Sequence, residues 1–120
     1  MEKTILVWGA GNDGQRGTIA KPSSPAILAG LVARIGEVRG HSIAVVSVGE
    51  AGTISSFSNR CGIAQDFCLA APGQSVLVAN NCQPNPNSIT TTACSQKQLD
   101  TGYRAGSGTS YAAPMVSGGL

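Results

Sequence analysis

The chain has 120 residues, 12% of them charged, and Lys+Arg 8 against Asp+Glu 6 give a formal net charge of +2. That excess is too small to argue for nucleic acid or an anionic surface as partner, and no basic cluster is interleaved with aromatics. No apolar run approaches the ~20 residues of a membrane span, and Met1-Glu2-Lys3 leads into a strand-like run rather than a signal segment. The length allows at most one domain. Its 42% hydrophobic residues, 16 Gly and few charges suit the interior half of a larger α/β enzyme better than a free-standing domain, which averages about 25% charged residues.

In chain order, residues 4–9 are an apolar run that reads as a buried parallel strand. Residues 10–24 read as loop. Pro25 sits at a plausible first helical position, and residues 26–35 read as a helix with Ile27, Leu28, Leu31 and Ile35 on one face, ended by Gly36 or Gly40. Residues 43–48 form a second buried strand. Residues 54–57 and 67–71 are expected as short strands joined through the Cys61 turn, and 75–79 as another strand. Residues 80–108 are polar and loop-like; so long a loop in a compact domain should be functional or tied down. A final helix is expected to begin near Ser110 and stop at Leu120.

The run Gly108-Thr109-Ser110-Tyr111-Ala112-Ala113-Pro114-Met115-Val116-Ser117-Gly118 carries the most chemistry. A serine nucleophile must be exposed yet rigidly held beside its base. Small residues allow close approach, Pro114 is expected in the first turn of the helix, and Ser110 would lie near a helix N-terminus that favours developing negative charge. Alone, Gly-Thr-Ser is also how an ordinary helix starts.

Upstream, Trp8-Gly9-Ala10-Gly11-Asn12-Asp13-Gly14 follows the first strand. Asn12-Asp13-Gly14 alone would be a plain turn. Gly9-x-Gly11-x-x-Gly14 also spells a dinucleotide fingerprint, but that motif must open a helix. Pro22-Ser23-Ser24-Pro25 cannot be the body of one, and no second strand ends in an acidic residue about 20 positions on. A third set comprises residues 43–49, then Ile54-Ser55-Ser56-Phe57-Ser58-Asn59-Arg60-Cys61-Gly62, then Ala70-Ala71-Pro72-Gly73.

In this order the segments resemble the subtilisin-like serine proteases (subtilases): A-G-N-x-G, then a strand with S-F-S-N and A-P-G, then G-T-S-x-A-A-P-x-V-S-G. The Arg60-Cys61 and Cys68 variant is most similar to exported bacterial subtilases attached to autotransporters. The likeness covers most of residues 4–79 and 105–120; the connection 80–104 matches no family segment. It implies a three-layer α/β fold with a mostly parallel sheet, of which residues 1–120 would be a C-terminal portion cut on both sides. It further implies Ser110 as nucleophile, with Asn12 and the Ser110 backbone N–H as oxyanion donors. Gly9, Ala10 and Gly11 would wall the pocket for the residue preceding the scissile bond, Asp13 would lie at its rim, and Thr109 would help set the nucleophile turn on the substrate side. Protein or peptide substrates follow from the same resemblance. No cofactor is expected in this segment, although calcium is common in the family and could serve the complete enzyme.

The departures are equally specific. The family's catalytic Asp and His lie upstream of A-G-N, in D-S/T-G and H-G-T-x-V-A-G, and neither precedes Gly9 here. His41 is followed by Ser42 and leads a strand, so it reads as a surface or strand-leading histidine. Asp100-Thr101-Gly102 spells D-T-G but lies ten residues before Ser110, out of the family order Asp, His, Ser, and lacks an apolar strand leading into it, so it reads as a turn. Without a base Ser110 is a weak nucleophile. The isolated chain is therefore expected to be essentially inactive, its partner being the remainder of the protease domain that carries Asp and His. A non-catalytic interaction module or surface antigen, and a split enzyme completed by a second chain, are the alternatives.

The four cysteines are Cys61, Cys68, Cys82 and Cys94. None forms C-x-x-C and His41 is the sole histidine, which argues against zinc. Sequence neighbours suggest Cys61–Cys68 and Cys82–Cys94, one of three pairings. Two disulfides would imply an exported protein, in the periplasm, at the cell surface or outside the cell; four buried thiols in the cytosol are the other possibility.

Overall fold

The apolar run expected as the second strand is the middle of a three-stranded parallel sheet. In the computed structural model, residues 4–14, 26–32, 34–38, 40–80 and 102–120 are described. Strand β1 (Leu6–Gly9) pairs with β2 (Ser42–Val48), which pairs in turn with β3 (Cys68–Pro72), both in parallel. A central parallel strand covered on both faces needs apolar residues at successive positions. Ala44, Val45 and Val46 meet that need and are all buried.

Because side chains alternate along a strand, β2 feeds two cores. Ala44 and Val46 pack with Ala10, Ala26, Ala29 and Ala64, flanked by Trp8, Phe67, Cys61 and Cys68. Val45 packs on the other face with Ala71 and Ala112, flanked by Val7, Ile43, Ala113 and Val116. The first core lies under helix α1 (Ile27–Val32) and the 3₁₀ helix Gly62–Phe67; the second lies under helix α2 (Thr109–Gly119). Two helical layers enclosing a parallel sheet are the three-layer arrangement expected. Strands β4 (Val76–Ala79) and β5 (Tyr103–Gly106) form a separate antiparallel pair.

Several elements differ from expectation. Helix α1 stops at Val32; beyond it, i→i+3 bonds from Arg34 to Leu31 and from Ile35 to Val32 loosen the chain into turns. Its apolar face also points the other way. Ala29 and Gly30 are buried, Gly30 lying against the Ile63 side chain, while Ile27, Leu28, Leu31 and Ile35 are exposed, Leu28 to 71%. Residues 54–57 form no strand: Ile54 makes a single antiparallel bridge to Val48. The Cys61 turn leads into a 3₁₀ helix, and residues 103–106 are a strand within a stretch expected as loop.

Pro114 is not in the first turn. Helix α2 starts at Thr109, which puts Pro114 in the second turn, where its missing N–H leaves the Ser110 carbonyl without the usual i+4 donor. Ser110 and Pro114 are both exposed, so the lost bond falls on the solvent-accessible part of the helix and not in its core.

Cys61 and Cys68 are disulfide-bonded across the 3₁₀ helix. Cys82 and Cys94, Pro25, and Asp100 and Thr101 of the D-T-G run lie outside the described residues. Among the described residues no helix is long and apolar enough to cross a membrane, and no group of three or more His, Cys, Asp or Glu could hold a metal ion.

Candidate active site

The motif segments meet at one edge of the sheet, beyond the carboxyl ends of β1, β2 and β3. Ligand sites of open parallel sheets form at this edge because the turns leaving the strands converge there. β1 runs into Gly11-Asn12, β2 into the serine-rich turn at 55–59, and β3 into Gly73.

The nucleophile turn is fixed from two sides. Gly108 caps α2 at φ 153, ψ 158, a conformation essentially restricted to glycine. Its N–H donates to the Gly73 carbonyl at 2.8 Å. Glycine is also needed at 73, where a Cβ would fall 2.6 Å from Ser47 Oγ and 2.8 Å from the Gly108 carbonyl oxygen. The Ser75 N–H donates to Ser107 Oγ at 2.9 Å, adding a second tie. The role of Ala-Pro-Gly at the end of β3 is thus to hold the start of α2.

Asn12 closes the other side. Its Oδ1 accepts the Thr109 N–H at 2.8 Å. A backbone donor demands an acceptor, which fixes the amide orientation and leaves Nδ2 as a donor directed elsewhere. Thr109 Oγ1 accepts the Gly11 N–H at 3.2 Å, so the two segments are laced twice. The first N–H groups of a helix have no intrahelical acceptor. In α2, that of Thr109 goes to Asn12 and that of Tyr111 to the Gly108 carbonyl at 3.0 Å. The Ser110 N–H between them, like Asn12 Nδ2, has no partner among the described residues. Ser110 and Asn12 are both exposed, whereas Thr109 is 2% exposed. The Thr109 side chain therefore braces the turn and presents no surface to a ligand.

Beside Gly9-Ala10-Gly11 lies a cleft of about 250 Å³, bounded by Asp13 and Asn59 and by Ala26, Ile27, Leu28 and Ala29 of the α1 region. The glycines of the apparent dinucleotide fingerprint serve internal packing. A Cβ on Gly9 would lie 2.9 Å from Thr109 Oγ1, and one on Gly11 2.5 Å from Asn59 Nδ2, while Gly14 is pressed against the carbonyls of Ser56 and Ser58. On the side where a Cβ would project, each of these glycines thus meets the protein's own atoms. His41 immediately precedes β2, and its carbonyl accepts the Leu6 N–H.

A buried hydroxyl network underlies the site and was not recognised from sequence. Ser58 Oγ accepts the Ser47 N–H at 3.0 Å and donates to the Asn59 carbonyl at 3.0 Å, and the Ser47 and Ser55 hydroxyls are 2.8 Å apart. Asn59 then donates its N–H to the Gly11 carbonyl at 2.9 Å, and its Oδ1 accepts the Asp13 N–H at 2.9 Å. Every buried side-chain N or O among the described residues has a partner. The available signal was Ser47, a lone hydroxyl within an apolar strand, where burial demands a partner.

Comparison with known proteins gives one consistent result. The model of the subtilase family (Peptidase_S8) matches residues 1–120. The chain is 30% identical over 118 residues to serotype-specific antigen 1 of Mannheimia haemolytica, covering 98% of the chain and 11% of the antigen. Among solved structures it is similar to the self-cleaved protease domain of PatA, with TM-score 0.56, 26% identity, and coverage of 97% of this chain and 31% of that one. The prenylagaramide maturation protease PagA is similar at TM-score 0.57 and 27% identity, with coverage of 97% and 30%. The chain thus spans about a tenth of the antigen and under a third of those proteases.

Proposed function

The chain belongs to the subtilase family, and from that premise we propose that it is part of a serine endopeptidase whose nucleophile is Ser110. The observation that carries this reading is the pair of donors without a partner among the described residues, Asn12 Nδ2 and the Ser110 N–H, flanking the bond that joins Asn12 Oδ1 to Thr109. Two preorganised donors beside an exposed serine at a helix N-terminus suit the anion of a tetrahedral intermediate.

An imidazole supplied by the rest of the protease domain takes the Ser110 proton. Ser110 Oγ attacks the peptide carbonyl, and its oxygen becomes an anion held by Asn12 Nδ2 and the Ser110 N–H. The imidazole returns the proton to the leaving amine, and water then releases the acyl group from Ser110. The cleft walled by Gly9, Ala10 and Gly11, with Asp13 at its rim, takes the side chain preceding the scissile bond. Alone, this chain lacks Asp and His in the family's positions and is inactive. Export from the cytoplasm is supported by the Cys61–Cys68 disulfide.

The test is turnover of a peptide substrate by the complete protease and its Ser110→Ala variant. Turnover should fall to background; full activity in the variant contradicts the assignment. The relative described as an antigen favours a second reading, a subtilase-derived module that binds without cleaving. In that case the complete protein turns over no peptide, with or without Ser110.

A further inference from the structure

We infer that Asn59 is a positioning residue for the oxyanion site, acting through Asn12; this rests on the protease reading above. The residues flanking Asn12 are both tied to Asn59. Its backbone N–H holds the Gly11 carbonyl and its Oδ1 holds the Asp13 N–H, each at 2.9 Å. Its Nδ2 lies over Gly11, whose φ of 104° and missing Cβ make room for it. Asn59 is 5% exposed, so these bonds are shielded from competing water and held in one geometry. The clamp is itself anchored on β2 through Ser58.

The geometry divides the labour. Asn12 Oδ1 is fixed by Thr109, but one bond leaves the amide free to swing about it. The peptide planes on both sides of Asn12 set where Nδ2 lies, and Asn59 fixes both. A donor to a transition-state oxyanion tolerates little displacement, since a shift of about 1 Å can lower turnover about 100-fold. Among the described residues Asn59 makes no hydrogen bond to Ser110 or the Thr109 turn, so its effect passes through Asn12.

The experiment is a double-mutant cycle in the complete protease, pairing Asn59→Ala with Asn12→Ala and reading kcat and KM separately. Asn59→Ala alone should lower kcat about 10- to 100-fold and leave KM nearly unchanged. In the Asn12→Ala background it should lower kcat less than about 2-fold, because the group it positions is gone. Equal losses in both backgrounds, or no loss in either, would overturn the inference. Should Asn12→Ala itself leave kcat unchanged, the oxyanion reading fails first, and the two failures are thereby told apart. The backbone bond to Gly11 and the Ser58 anchor survive the substitution, which favours folding. If Asn59→Ala nevertheless fails to fold, Asn59→Leu, of similar size and with no acceptor for the Asp13 N–H, is read against the same outcomes.

Discussion

Asn12 and Thr109 are joined side chain to backbone at 2.8 Å across 97 residues of sequence. This bond locks the turn after β1 to the start of α2. Asn12→Ala in the complete protease should lower kcat by about 10²–10³ with little change in KM, the magnitude found for loss of one oxyanion donor in other serine proteases. Steady-state kinetics on a peptide substrate decide it, and an unchanged kcat would remove Asn12 from the site.

Gly108 is set by conformation, not by space. A Cβ there would find its nearest neighbour at 3.5 Å, yet φ is +153°. Gly108→Ala should therefore lower stability by about 1–3 kcal/mol through backbone strain and displace Ser110. Thermal unfolding and kcat should fall together in the complete protease. An unshifted melting temperature would mean that the cap relaxes at no cost.

The disulfide should be measurable directly. Under denaturing, non-reducing conditions neither Cys61 nor Cys68 should react with an alkylating reagent, and replacing both with alanine should lower stability by about 2 kcal/mol, as expected for so short a loop. Four reactive thiols would contradict both the bond and the argument for export.

The exposed face of α1 gives a test of incompleteness. Leu28 and Leu31 are 71% and 50% exposed, so Leu28→Asp should shift the stability of the isolated chain by less than about 0.5 kcal/mol. If the rest of the complete protease packs on this face, the same change there should lower stability by about 2 kcal/mol. Equal small effects in both would mean that the face stays in solvent.

Legibility from the sequence followed the physics of each element. The central strand was readable because a strand buried on both faces is largely apolar, as residues 43–48 are apart from Ser47, whereas β1 and β3 are only partly covered here. The meeting of Asn12 with the Ser110 turn was readable from motif order, because each motif follows a strand end or opens a helix. β5 was hidden: three of its four residues are exposed, so no alternation marks it, and its pairing with β4 specifies it instead. The direction of α1 was misread because its apolar stripe signals a buried face without saying what buries it, and its small residues make the contact present here. Asn59 and the serine network were seen only as motif letters. Apart from the bond between neighbours Ser58 and Asn59, their hydrogen bonds join Ser47 to Ser55, Ser47 to Ser58, and Asn59 to Gly11 and Asp13, residues that only the folded turn brings together.

The most direct measurement is labelling of Ser110 by a fluorophosphonate, located by mass spectrometry of the labelled peptide, in the complete protease and in the isolated chain. The account predicts rapid modification of Ser110 in the complete enzyme, none after Ser110→Ala, and negligible modification in the isolated chain, whose sole imidazole, His41, precedes the start of β2, at the end of the sheet opposite Ser110, and does not activate the hydroxyl. An active complete enzyme labelled at a different residue, or an isolated chain labelled as fast as the whole protease, would contradict it.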